Sequence, residues 1–109
     1  MLSLASSLNG AISVKSSVSG LPLSVHIETS EVRRLSPAAL AQEIMRLNHL
    51  AARRAQHQYR SILEADKSSV WSKRDLDELG YPTKEQLARE EAILSFEEEE
   101  VPETWLRKV

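Results

Sequence analysis

One long stretch without glycine or proline dominates this sequence. It follows Ser36-Pro37, in which the serine suits a helix N-cap and the proline suits the first helical position, and it extends to about Glu64. We expect a single helix of roughly eight turns. A chain of 109 residues buries only a modest fraction of its surface. Its core is therefore expected to be thin.

Alternating apolar and polar residues between Ile12 and Ile27 predict two strands ahead of this helix. A two-residue loop at Ser19-Gly20 would join them as a hairpin with one apolar face. The pairs on that face would be Val18 with Leu21, Ser16 with Leu23, Val14 with Val25, and Ile12 with Ile27. Pro22 cannot donate to a ladder, so its strand is expected at a sheet edge. A lone hairpin is too small to be stable, so it needs the helix.

The apolar side of the long helix is wider than a hairpin can cover. On a helical wheel, Met45 and Tyr59 widen the central apolar stripe on one side, and Leu50 lies beyond its other side. Alanines in the stripe would allow a second helix to approach closely. We therefore predict a homodimer in which the same helix of a second copy covers the excess surface. The predicted interface residues are Leu40, Ile44, Leu47, Ala51, Ala55 and Ile62.

Two shorter helices are expected after the long one. The first lies near Lys73–Leu79, and the second runs from about Thr83 to Phe96 after a break at Gly80-Tyr81-Pro82, with Thr83 and Gln86 forming a capping box. The predicted fold class is α+β. Residues 1–70 form an N-terminal antiparallel β-hairpin and one long helix, and residues 71–109 form a helical, acidic C-terminal extension.

Charge is distributed unevenly along the chain. Residues 31–74 carry nine Lys or Arg against four Asp or Glu, whereas residues 75–109 carry four against eleven. Within the basic part, Arg46, Arg53 and Arg60 recur every seven residues opposite the apolar side of the helix. This stripe could bind a phosphate backbone or an acidic protein segment, or it could be the solvated face that a long helix requires. Acidic residues 97–109 could compete with an external anion for it.

The sequence offers little for catalysis or for cofactor binding. It has no cysteine and only three glycines, so it lacks a thiol nucleophile, a thiolate metal site and a glycine-rich phosphate loop. Its histidines, His26, His49 and His57, are wrongly spaced for a metal site. Glu43 could act as a general base, but an ion pair with Arg46 one turn later is the simpler interpretation. We expect a protein that is not an enzyme and that binds no cofactor, metal or small-molecule substrate.

Two C-terminal features could contact a protein partner. Tyr81 and Glu85 form a Tyr-x-x-x-Glu pattern that resembles the C-terminal export signal of type VII secretion substrates. Trp105 and Leu106 are apolar residues in a charged terminus, and they either fold back onto the domain or await a partner. The sequence has no general secretory signal and no span long enough to cross a bilayer, so we expect no membrane insertion.

The sequence predicts a hairpin, then Leu35-Ser36-Pro37 at a helix start, then an alanine-rich helix. This order resembles the YbaB/EbfC family of small dimeric α+β proteins, several of them nucleoid-associated. The resemblance covers about residues 11–65. Its more specific elements resemble EspD and its relatives, actinobacterial proteins associated with ESX (type VII) secretion. These elements are Leu40-Ala41-x-Glu43-Ile44, Leu50-Ala51, Ala55-Gln56 and Tyr59-x-x-Ile62-Leu63. The chain departs from YbaB proteins in lacking their long N-terminal helix and in having an acidic tail.

This resemblance implies a homodimeric, cytoplasmic accessory protein of type VII secretion that works through contacts with other proteins. Alternatively, the chain itself is exported by a type VII system. The alternative function is that of a nucleoid-associated protein that binds DNA without sequence specificity through Arg46, Arg53 and Arg60.

Overall fold

The computed structural model describes residues 1–66 and 70–93 of the chain. Residues 2–27 form a three-stranded antiparallel sheet in the order β1-β2-β3. The strands are β1 (Leu2–Ser6), β2 (Ile12–Ser17) and β3 (Pro22–Ile27). A short helix, α1 (Thr29–Arg34), leads into the long helix α2 (Pro37–Ala65). The α+β class, the hairpin and the long helix predicted from the sequence are confirmed.

The register of the hairpin agrees with the prediction at one end and differs at the other. Ile12 pairs with Ile27 and Val14 with Val25 as expected, but Ser16 pairs with Pro22 instead of Leu23. The pairing shifts because the connection is longer than two residues. The turn closes on a hydrogen bond from the Gly20 N–H to the Ser17 carbonyl (3.0 Å), and Gly20 has a φ of +87°. The pairing skips Leu23 of β3, opposite Lys15 and Ser16, and this bulge absorbs the extra residue.

Strand β1 was missed by the sequence analysis, in which the first predicted strand begins at Ile12. Its large side chains, Leu2 and Leu4, are about half exposed, and the residue it buries is Ala5, at 1% exposure. Ala5 pairs with Val14 of β2. Because the side facing the helix carries small residues, the hydrophobic pattern of β1 gives no sign of which face is buried.

Helix α2 begins where the sequence predicts, with the Ala39 N–H donating to the Ser36 hydroxyl (3.1 Å) and with Pro37 in the first turn. It packs on β1 and β2, and β3 lies at the side of this contact. The side chains buried in the core between sheet and helix are Ala5, Ile12, Val14, Leu47, Leu50 and Ala51. Four half-buried residues pack against this core, namely Ile27, Leu35, Leu40 and Ile44.

Beyond α2 lie two further helices, as predicted. Helix α3 (Lys73–Glu78) starts with a capping box between Ser72 and Asp75. Hydrogen bonds from Ser72 lower the pKa of the Asp75 carboxyl. A second helix, α4, covers the described residues 84–93, and Thr83 and Gln86 form the predicted capping box with bonds of 2.9 and 3.2 Å. The part of this prediction that reaches Phe96 lies outside the described residues.

Candidate interaction surfaces

An apolar surface on one side of the molecule is left uncovered by α2. We call it the β3 flank, and it consists of Val25 and Ile27 on β3 with Leu40 and Ile44 on α2. Val25 pairs with buried Val14 and therefore lies on the face of the sheet that faces the helix, yet it is 42% exposed. The other three are half-buried against the core. This exposure follows from the position of α2, which packs over β1 and β2.

Within residues 1–66 and 70–93, strand β3 is also an edge of the sheet, so the β3 flank adjoins a strand edge. The neighbouring leucines of β3 and its turn, Leu21 and Leu23, are exposed as well. Exposed apolar side chains grouped on one strand are typical of a protein–protein contact, and an edge strand invites pairing. The flank is therefore a candidate site of association.

The residues predicted as a dimer interface separate into two groups. Leu47, Ala51 and Ala55 are completely buried within one chain. They pack inside the fold and are not available to a second copy of it, because the sheet and the C-terminal helices cover more of α2 than a two-stranded hairpin would. Leu40 and Ile44 lie on the β3 flank, and Ile62 is 52% exposed near the end of α2. The homodimer itself stays a prediction.

The predicted arginine stripe is engaged in contacts within the chain. Arg46 forms two hydrogen bonds with Glu43 on the same helix, so the ion pair expected for Glu43 is present. Arg53 donates to Glu90 Oε2 (3.0 Å) and to the Gly80 carbonyl (2.7 Å). The guanidinium groups therefore bind carboxylates and carbonyls of this chain.

Arg60 is the most deeply buried of the three, at 2% exposure. Its guanidinium donates to Glu64 (2.8 Å) and to the Tyr81 carbonyl (2.9 Å), and it forms an ion pair with Asp77 (2.7 Å). Hydrogen bonding to Glu64 raises the pKa of Arg60, with a further contribution from Asp77, despite an opposing effect of burial. Arg60 thus joins the end of α2 to α3 and to the turn that follows it.

Arg54 was missed by the sequence analysis because it lies outside the seven-residue repeat. It donates to Glu91 Oε1 (2.8 Å) on α4 and to the Leu4 carbonyl (3.1 Å) on β1. Next to these contacts, His57 Nδ1 lies 3.0 Å from the Pro82 carbonyl. The signal that could have identified Arg54 is the pair of adjacent acids, Glu90 and Glu91, opposite two adjacent arginines.

A second buried charge lies at α1. The Glu31 carboxylate is 5% exposed and accepts from Arg34 Nε (3.1 Å), Arg34 Nη2 (2.7 Å) and Asn9 Nδ2 (3.3 Å). The hydrogen bonds from Arg34 hold the pKa of Glu31 below its ordinary value, against the effect of desolvation. The same pair raises the pKa of Arg34. This contact ties α1 to the β1–β2 turn.

The predicted partner or export residues have different positions. The ring of Tyr81 is half-buried and meets the ring of Tyr59 edge-on, with a centroid distance of 6.1 Å. Glu85 is exposed in the first turn of α4. Trp105 and Leu106 lie outside the described residues.

The described residues contain no group of three or more histidine and carboxylate side chains placed to hold a metal ion. None of the helices in residues 1–66 and 70–93 is long and apolar enough to cross a membrane. Two open clefts flank the contact between α2 and the C-terminal helices, and charged and polar side chains line them, including Arg53, Lys73 and Thr83.

Comparison of the chain with protein-family models, with curated proteins and with solved structures gives no match.

Proposed function

We propose that this chain is a non-enzymatic protein that acts by association, forming a homodimer through the β3 flank. The observation that carries the proposal is the exposure of Val25 on the face of the sheet that elsewhere forms the core. A second copy placed against this flank would bury apolar side chains at the β3 edge of the sheet. Burying them is favourable by about 25 cal/mol per Å² of apolar surface.

We further propose that the dimer is an accessory protein of type VII secretion that works through contacts with other proteins. This rests on the resemblance of residues 40–63 to EspD-type proteins. The DNA-binding alternative has less support, because Arg46, Arg53 and Arg60 are each paired with a carboxylate. An arginine whose charge is balanced by a carboxylate neutralises a phosphate less well, so it releases fewer counterions from a nucleic-acid backbone.

Association is tested by replacing Val25 with lysine. A charge on the β3 flank would have to be desolvated in the dimer, so Val25→Lys is expected to give a monomer in size-exclusion chromatography. The matched control is Leu4→Lys, which places the same charge at an apolar residue of similar exposure (51%) on the opposite face of the sheet. Loss of the dimer in both variants, or in neither, would contradict the assignment to the β3 flank.

The secretion role is tested in the organism that encodes the chain. Deleting the gene is expected to lower the amounts of ESX substrates in the culture filtrate. The wild-type gene and Leu4→Lys should restore them, and Val25→Lys should not. Unchanged secretion after deletion would refute the secretion role and leave the dimer to be judged by chromatography.

A further inference from the structure

The basic side of α2 is covered by a segment of the same chain. We call residues Arg53, Arg54 and Arg60 the arginine face, and residues 73–93 the C-terminal segment. Ion pairs join the arginine face to Asp77 of α3 and to Glu90 and Glu91 of α4. The contact therefore brings the basic part of the chain together with the start of its acidic part.

Arg54 also donates to the Leu4 carbonyl and Arg60 to Glu64, but most of the groups bound by the arginine face belong to the C-terminal segment. They are side-chain carboxylates on two helices, together with the carbonyl oxygens of Gly80 and Tyr81 at the break between these helices. Three guanidinium groups thus bind both carboxylates and backbone carbonyls of an acidic helix–turn–helix segment. Planar guanidinium groups suit carboxylates because each can donate two parallel hydrogen bonds.

Apolar packing in this contact involves few side chains. Within the C-terminal segment, the large side chains that are completely buried are those of Leu76 and Pro82, whereas Leu79 and Ile93 are exposed. The Arg53–Glu90 and Arg54–Glu91 pairs are partly exposed to solvent on both sides. Such pairs are weak and sensitive to salt. With Arg60 and Leu76 as its buried anchors, the segment is expected to open more readily than the sheet and α2.

We propose that the arginine face is a docking surface for an acidic peptide segment of a partner protein, and that the C-terminal segment occupies it as a built-in competitor. The C-terminal segment is tethered to the end of α2 by residues 66–72, so its effective concentration at the face is on the order of millimolar. To dock, a partner segment must bind the face strongly enough to displace the C-terminal segment at this effective concentration. The proposed surface lies apart from the β3 flank and does not depend on the proposed dimer.

The test uses full-length protein and a fluorescently labelled synthetic peptide that spans residues 73–93. In the double variant Glu90→Gln/Glu91→Gln the competitor loses the carboxylates that bind Arg53 and Arg54. This variant is expected to bind the peptide about tenfold more tightly than the wild type, which corresponds to about 1.4 kcal/mol. Adding Arg53→Gln and Arg54→Gln should abolish the gain.

A matched control is the double variant Glu78→Gln/Glu85→Gln. It removes the same charge from the same segment, but Glu78 pairs with Arg74 within α3 and Glu85 is exposed on α4. Its affinity for the peptide should equal that of the wild type. Equal affinities of the two double variants would overturn the proposal. Tighter binding of a short DNA duplex than of the peptide to Glu90→Gln/Glu91→Gln would also overturn it, because the face would then be a phosphate site.

Hydrogen exchange of the wild-type chain provides a readout that needs no variant. Amides of residues 73–93 are expected to exchange faster than those of β2 and the middle of α2, and faster still as salt is added. Exchange as slow as that of β2 at every salt concentration would show that the C-terminal segment opens only on global unfolding. That result would overturn the proposal.

Discussion

At the scale of single residues, buried charges determine how the peripheral elements are attached. Glu31 anchors α1 through Arg34 and Asn9, and Arg60 anchors the C-terminal helices through Asp77 and the Tyr81 carbonyl. Removing one partner of such a contact leaves the other charge buried without its partner, unless water reaches it. Although these residues are few, substitutions at them are therefore expected to lower the free energy of unfolding clearly.

Glu31→Gln is expected to lower the free energy of unfolding at pH 7 by about 1–2 kcal/mol, because it removes charge-assisted hydrogen bonds. The lowered pKa of Glu31 means that the folded chain binds this proton less readily than the unfolded chain. The stabilisation from Glu31 is therefore fully present above the ordinary pKa of 4.5 and is lost as the pH falls through the lowered value. Urea unfolding at several pH values measures it.

The difference between wild type and Glu31→Gln should thus shrink as the pH is lowered below 4.5. Glu85→Gln serves as the control, since Glu85 is exposed on α4. A difference between wild type and Glu31→Gln that stays constant down to the lowest pH would show that the carboxylate of Glu31 does not stabilise the fold.

At the scale of elements, the long helix and the hairpin could be predicted because their signals are local. Ser36-Pro37 supplies a cap and a first-turn proline, and the pairing of Ile12 with Ile27 follows from alternation. Strand β1 could not be predicted in this way, since it turns Ala5 inward and Leu4 outward. Its place in the sheet depends on how closely α2 approaches, which is a tertiary property.

The candidate sites were predicted only in part, for the same reason. A helical wheel identifies the apolar and basic sides of α2, but it does not show which chain covers them. Leu47 was assigned to a dimer interface and lies in the core of one chain. Arg53 was considered either for an external anion or for a solvated face, and it binds Glu90. In both cases a segment distant in sequence occupies the surface.

The contact between α2 and the sheet predicts a clear contrast between two neighbouring residues of the helix. Leu47→Ala is expected to lower the free energy of unfolding by about 2–5 kcal/mol, because it leaves a cavity at a completely buried position. Met45→Ala, at a position that is 70% exposed, should change it by less than about 0.5 kcal/mol. Similar effects in thermal or urea unfolding would place the core elsewhere.

At the scale of the whole molecule, the basic side of α2 is covered by residues 73–93, whereas the apolar β3 flank is left exposed. A chain of this size has a thin core, and burying the β3 flank against a second copy would extend it. Association is the physical step on which the proposed role of this protein depends.

Sedimentation equilibrium of the full chain at micromolar concentration tests this step directly. A mass of twice the 12.3 kDa of one chain is expected, with reversible dissociation on dilution. A folded species that keeps the mass of a single chain throughout this concentration range would contradict the proposed dimer.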